Sequence, residues 1–73
     1  MNWHQLEEGD TVVGEASSHT YTLVRRERSD RGSEWLSLVM LDHEQGGLIV
    51  NEIADQPIHF FTVYKANGEV EAT

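Results

Sequence analysis

Residues 34–53 read EWLSLVMLDHEQGGLIVNEI, which is two apolar runs separated by a polar, glycine-containing turn. The first run spans 34–41 and the second spans 47–53. Periodicity alone does not distinguish strand from helix over 36–41, but the length of the run and its glycine-containing flanks favour a strand. The stretch therefore predicts two β-strands joined by a turn.

Three more runs of aromatic and β-branched residues, which fit a pleated surface, occur at 11–13, 20–26 and 58–64. Turn-forming residues interrupt them at 17–18, 29–33 and 55–57. The Asn-Gly pair at 67–68 is a strong hairpin signal and is expected to fold residues 69–72 back onto the strand at 58–64.

Short strands joined by brief turns predict an antiparallel meander, and such a sheet must shield its edges or close. At 73 residues this means one all-β domain over 1–73, a small antiparallel five- or six-stranded partly closed barrel. An SH3-like barrel is the first expectation and an OB-like barrel the alternative. The one helical feature expected is a short turn within 2–8, with Asn2 as its N-cap.

The N-terminal third has a recognisable arrangement of residues. Trp3 and Leu6 are followed by Gly9-Asp10 and a β-branched run, and the second strand begins at Thr20. This arrangement resembles the start of small SH3-like barrel proteins of the kind common in actinobacterial phages. The resemblance implies a fold and a phage origin, and it brings no catalytic residues with it.

The charge balance excludes several kinds of partner. The chain has 5 Lys+Arg against 13 Asp+Glu, a net charge of −8. Binding to duplex DNA or to anionic lipid needs positive charge, so neither is expected. The chain has no cysteine, no apolar run of the roughly 20 residues that a membrane helix needs, and no secretory pattern at its N-terminus. We therefore expect a cytoplasmic protein.

Four of the five positive side chains are arginines clustered within 25–31: Arg25, Arg26, Arg28 and Arg31. One interpretation is a clamp for phosphate or carboxylate, which Trp35 and Tyr21 would extend to single-stranded nucleic acid. The other is an exposed loop whose arginines pair with neighbouring acids and contribute little. The acidic remainder of the chain has two interpretations as well: solubility, or mimicry of nucleic acid toward a protein with a basic groove.

No catalytic or metal motif is present. The four histidines lack a paired metal spacing, no serine lies in a G-x-S-x-G turn, and there is no phosphate loop or dinucleotide motif. We expect neither an enzyme nor a metal or cofactor site.

The most informative pattern is the apolar character of both faces of two predicted strands. Over 34–41, Leu36, Leu38 and Met40 alternate with Trp35, Val39 and Leu41; over 58–64, Ile58, Phe60 and Tyr64 oppose His59, Phe61 and Val63. A small barrel has one interior, so the second face is covered by Trp3 and Leu6 or forms a patch for a partner or a second copy.

These patterns predict a non-catalytic protein-binding module, a phage-encoded factor that engages a host protein. Trp35, Phe61 and Tyr64 are the predicted anchors, because aromatic side chains dominate binding hot spots. Arg25, Arg26, Arg28 and Arg31 would set the orientation. Phe60 is expected in the core and Phe61 on the outward face.

Overall fold

The computed structural model describes residues 1–72 and forms one six-stranded antiparallel sheet. Its elements are a 3₁₀ helix at Trp3–Gln5, β1 at Thr11–Gly14, β2 at Thr20–Arg28, β3 at Trp35–Asp42, β4 at Gly46–Ile53, β5 at Phe61–Tyr64 and β6 at Val70–Ala72. The order of strands is β4-β3-β2-β1-β5-β6. The predicted all-β class and antiparallel sheet are confirmed. The predicted domain ended at Thr73, which lies outside the described residues.

The sheet is curled but open. Its edges are β4 and β6, which do not pair with each other within residues 1–72. A bulge in β2 between Leu23 and Arg25 interrupts the register with β3, and bulges increase local twist. This form is compatible with the small SH3-like or OB-like barrel predicted from the sequence.

The core lies on one face of the curled sheet, which we call the inner face; the opposite side is the outer face. In β3, Leu38 and Met40 are buried on the inner face, whereas Leu41 is exposed on the outer face. This alternation follows from the two-residue period of a strand. The buried apolar residues are Trp3, Leu6, Val12, Leu23, Leu38, Met40, Ile58 and Val63.

The N-terminal segment runs beside residues 54–58 and adds to this core. The Trp3 N–H donates to the Gln56 carbonyl at 3.1 Å, and the His4 N–H donates to the Ala54 carbonyl at 3.0 Å. Because these bonds hold the 3₁₀ helix in place, Trp3 and Leu6 are buried with the inner-face residues.

The hairpin predicted at 67–68 joins β5 to β6. Gly68 has a φ of 97°, in the left-handed region that favours glycine, and its N–H donates to the Lys65 carbonyl at 2.9 Å. The following strand pairs Val70 with Tyr64.

The predicted strand over 58–64 is wrong in its first half. Phe60 has a φ of 66°, so the chain is not extended there, and β5 begins only at Phe61. This left-handed residue shifts the side-chain alternation by one position. As a result Ile58, Phe61 and Val63 all face the core, while Phe60, which was expected in the core, is 76% exposed.

Candidate protein-binding surfaces

An apolar group lies on the outer face of the β3–β4 hairpin. Val39 pairs directly with Ile49, and Leu41 pairs with Gly47, which has no side chain to cover it. Ile49 is 64% exposed and Leu41 is 45% exposed. We call Val39, Leu41 and Ile49 the outer patch.

The outer face of the neighbouring strands is built differently. Thr11 on β1 pairs with Thr22 on β2, and their hydroxyl oxygens lie 3.0 Å apart. The Thr22 hydroxyl is also hydrogen-bonded to Nε2 of His43 at 2.7 Å. Threonine is β-branched like valine and isoleucine and suits a strand equally well. The exposed apolar side chains of the outer patch are therefore not a requirement of the strand conformation.

The three predicted aromatic anchors do not come together. Trp35 begins β3 and Tyr64 ends β5, with β2 and β1 between these strands. The two strands are three spacings apart, about 14 Å, and the register places Tyr64 level with Leu41, at the other end of β3 from Trp35. Tyr64 instead pairs with Val70 on the outer face, and these two side chains are 45% and 58% exposed.

Phe61 is not an outward anchor, and this prediction is wrong. Its ring meets those of Trp3 and Tyr21 edge to face, with both centroid distances at 6.3 Å. It packs against the buried core. The shift of alternation at Phe60 is the cause, so a polar residue at position 61 would disturb folding rather than a free surface.

The four arginines lie at the end of β2 and in the turn beyond it, and they are divided between the two faces. Arg25 pairs with Val39 on the outer face, whereas Arg26 pairs with Leu38 and Arg28 with Leu36 on the inner-face side. The structure therefore does not form a single four-arginine clamp.

Three of the arginines already have partners within the chain. Nε of Arg25 donates to a carboxylate oxygen of Glu27 at 2.8 Å, and Arg26 donates to the His4 carbonyl at 2.6 Å. The guanidinium of Arg31 lies over Trp35, 4.9 Å from the ring centroid, in a cation–π arrangement. One face of the Trp35 ring is therefore covered by this contact.

A groove opens on the inner face between β4 and the N-terminal segment. Its volume is about 140 Å³. Leu38 and Met40 form its buried floor. Its walls are Leu48, Val50 and Glu52 on β4, and Trp3, Val12, Tyr21 and Phe61 opposite. We call this the inner groove.

Glu52 is the one acidic side chain that lines the inner groove. Burial raises the pKa of its carboxyl above the ordinary value of 4.5. Within residues 1–72 it makes no ion pair and no side-chain hydrogen bond. Arg28 is on the same face, two strands away, where Leu36 separates the two positions. Glu52 is therefore an unpartnered carboxylate beside an apolar cavity.

A buried ion pair lies on the β1–β5 side of the molecule. Asp10 is 1% exposed, and Nζ of Lys65 lies 2.5 Å from its Oδ2. The backbone N–H groups of Glu7 and Ala66 also donate to the Asp10 carboxylate, each at 2.8 Å. This cluster joins the segment before β1 to the turn after β5.

The pKa values of this pair follow from the contacts. Burial by itself would raise the pKa of Asp10, but the hydrogen bonds from Lys65, Glu7 and Ala66 and the Lys65 charge outweigh it and lower that pKa. Burial by itself would lower the pKa of Lys65, but its hydrogen bonds to Asp10 and Glu7 and their charges raise it. Both groups are therefore held in their charged forms.

The four histidines are dispersed. His4 Nδ1 donates to the Ala54 carbonyl at 2.8 Å, and His19 stacks on Tyr21 at 6.2 Å between ring centroids. His43 bonds Thr22, and His59 lies next to the exposed Phe60. No three His, Asp or Glu side chains in the described part of the chain are grouped as metal ligands would be.

Two surface features were not identified from the sequence. Ile49 was assigned to a strand but not to a face, and Glu52 was not singled out. The signal for Glu52 is the alternation Leu48, Val50, Glu52, because residues two apart in a strand share a face.

Comparisons with models of protein families, with curated proteins and with solved structures found no match. Over residues 1–72, no helix has the length and apolar character needed to cross a bilayer. The surfaces described above are the basis for assigning a function.

Proposed function

We propose that this chain is a non-catalytic protein-binding module and that the outer patch is its contact surface. The observation that carries the proposal is that β3 and β4 are apolar on both faces. Leu38 and Met40 already complete the core, yet Ile49 and Leu41 remain exposed on the other side. Contiguous apolar residues on a surface mark interaction sites.

The occupant that fits best is a different protein with an apolar centre and a basic rim. The net charge of −8 attracts such a partner and speeds its encounter. The same charge on two copies opposes self-association. We propose further that the protein is phage-encoded and acts on a host protein in the cytoplasm. The resemblance of residues 3–24 to small phage barrels supports this, and the cysteine-free composition suits a reducing compartment.

The arginines support a protein partner over nucleic acid. Arg25 and Arg26 are on different faces, and Arg31 is over Trp35, the ring that would stack a base. A single-stranded ligand would have to displace these contacts. In the protein-binding proposal, Arg25 borders the outer patch through its pairing with Val39 and helps to orient the partner.

The test compares a double variant, L41T with I49T, against the wild-type chain in quantitative pull-downs from host lysate. Threonine keeps the strand conformation while removing the apolar surface. V70T on β6 is the matched control, because Val70 is 58% exposed on the outer face but lies outside the outer patch. We expect one basic partner to be enriched by the wild type and by V70T and lost with the double variant. The proposal is wrong if the double variant, folded by circular dichroism, retains the same partners.

A further inference from the structure

The free edge of β4 is a second surface, and its backbone hydrogen-bonding groups pair with no other strand of the described chain. Over its eight residues, Gly46–Ile53, β4 pairs with β3 alone. The backbone bonds that residues 1–4 make with the chain after β4 lie beyond this strand, at Ala54, Gln56 and Ile58. Every second backbone N–H and C=O along β4 therefore faces away from the sheet without a strand partner in the described chain.

This edge has few of the features that usually prevent strand addition. Proteins protect sheet edges with proline, lysine, bulges, inward-pointing charges or very short strands, and of these β4 has only the inward-pointing Glu52. The β4 sequence GGLIVNEI contains no proline and no basic residue, and its register with β3 is uninterrupted from Trp35↔Ile53 to Asp42↔Gly46. The opposite edge, β6, has only three residues, Val70–Ala72.

The inner groove lies directly beside this edge. Leu48, Val50 and Glu52 are alternate residues of β4, and all three line the groove. A strand added to β4 would place its own alternate side chains next to them. The volume of about 140 Å³ is similar to that of engineered apolar cavities that accept benzene, so a branched aliphatic side chain fits.

We propose that β4 and the inner groove bind an extended peptide segment that adds a seventh strand to the sheet, with aliphatic side chains beside Leu48 and Val50 and a basic side chain beside Glu52. Backbone hydrogen bonds to β4 supply affinity, and the groove supplies side-chain specificity. The basic residue follows from the unpartnered Glu52 carboxylate and from the net charge of −8. The occupant is thus a segment of a partner with alternating apolar and basic character, not a second acidic copy of this chain.

The probe is the acetylated, amidated peptide Ser-Lys-Thr-Val-Thr-Val-Thr-Ser, whose alternate residues are Lys, Val and Val. Bound antiparallel to β4, it places lysine beside Glu52; its reversed sequence does so when bound parallel. Isothermal titration calorimetry with both peptides is expected to give micromolar binding for one orientation. The matched control peptide has glutamate in place of lysine and should bind roughly tenfold more weakly, between the effects of exposed and buried ion pairs. No binding of either orientation would overturn the proposal.

Charge exchange tests the role of Glu52. We expect E52Q to lower the affinity for the lysine peptide roughly tenfold. We expect E52K to bind the glutamate peptide more tightly than the lysine peptide. L41T removes part of the outer patch without changing a residue of β4, and Leu41 lies on the opposite face of the sheet from Leu48 and Val50, so peptide affinity should stay within about threefold of the wild-type value. If L41T lowers the affinity for the lysine peptide as much as E52Q does, the peptide occupies the outer patch and the β4 site is excluded.

Backbone pairing is tested on the peptide, which leaves the protein unchanged. One version carries N-methyl groups on its lysine and valines, and the other carries them on its three threonines. Only one set of amides faces β4, so one version should lose more than tenfold in affinity and the other should bind within about threefold, given the contribution of each hydrogen bond. Equal loss or equal retention in both versions would exclude strand addition. A light-scattering mass of a dimer that persists in the L41T with I49T variant and that the peptide does not dissociate would show that a second copy occupies the edge, which also overturns the proposal.

Discussion

The β3–β4 hairpin and the β1–β5–β6 part of the sheet differ in whether their charged side chains have partners within the chain. Around β1 and β5, Asp10 pairs with Lys65 and Thr11 pairs with Thr22. Both regions expose apolar side chains and end at an edge, but in the hairpin Glu52 has no ion-pair partner among the described residues, and the β4 edge is eight residues long against three for β6. The difference suggests that the first region holds the fold together while the second is available for binding.

Removing the buried charge that joins the N-terminal segment to the β5–β6 turn should destabilise the protein most. D10N should lower the free energy of unfolding by about 3–5 kcal/mol, because Lys65 then loses its buried counter-charge and keeps only the exposed Glu7 carboxylate at 3.3 Å. Urea denaturation followed by tryptophan fluorescence measures the change. The double variant D10N with K65M should recover much of the loss, since a buried pair is costly mainly when one partner remains. Simple additivity of the two single variants would show that the pair is not a coupled unit.

The two faces of β3 should differ in how much stability is lost when a leucine is truncated to alanine. L38A should cost about 2–5 kcal/mol, because Leu38 is fully buried and the small core cannot refill the space. L41A makes the same chemical change on the same strand at a 45% exposed position and should alter stability by no more than about 0.5 kcal/mol. Similar losses for the two variants would mean that the outer patch is part of a core.

The two strands of the β3–β4 hairpin could be predicted from the sequence because they depend on local patterns. The strand expected over 34–41 is observed at Trp35–Asp42, and the one expected over 47–53 at Gly46–Ile53. Both depend on alternation and on the turn between them, which are properties of neighbouring residues. The placement of Leu36, Leu38 and Met40 on one face of that strand follows from the same alternation.

The features that were missed depend on contacts between distant parts of the chain. Asp10 and Lys65 are 55 residues apart, so the sequence shows a turn aspartate and a lone lysine but not their pairing. The left-handed Phe60 accompanies a bond from the Glu15 N–H to its carbonyl at 2.9 Å, across the β1–β5 junction. That single backbone state reversed the expected roles of Phe60 and Phe61. The inner groove likewise exists only because the sheet curls.

A smaller change in stability is expected from substituting Phe60, a strained residue just before β5. Phe60 has a φ of 66° and is 76% exposed, so its ring adds little burial while its Cβ disfavours the backbone state. F60G should therefore raise the free energy of unfolding by up to about 1 kcal/mol, after the entropic cost of glycine is subtracted. F60A keeps the strain but removes the ring and is the control. A loss of stability with F60G that F60A reproduces would show that contacts of the ring outweigh the strain.

The smallest expected effect concerns pH and again contrasts the two regions. Burial raises the pKa of Glu52 above 4.5, so the folded state holds this proton more tightly than the unfolded state does. The free energy of unfolding should then fall as pH rises from 4.5 through the folded-state pKa, and level off above it. Asp10 has the opposite sign: its pKa lies below 3.8, so its contribution is complete above that value and is lost as pH falls through the folded-state pKa. The two effects occupy different pH ranges and can be measured separately.

E52Q should remove the decline on the alkaline side of pH 4.5 and be at least as stable as the wild type at pH 7, because no buried carboxylate has to ionise. Urea denaturation in steps across pH 3 to 8, with NMR titration of the Glu52 carboxyl, provides both the slope and the folded-state pKa. Glu52 faces Leu36 on β3, and within residues 1–72 Arg28 on β2 makes no ion pair with it, so no neighbouring positive charge offsets the effect of burial on its pKa. Two results together would contradict this prediction: a wild-type stability that rises with pH above 4.5, and a loss of stability in E52Q. They would mean that the Glu52 carboxylate is stabilised within the fold. The proposal that it is free to bind a basic peptide would then be wrong.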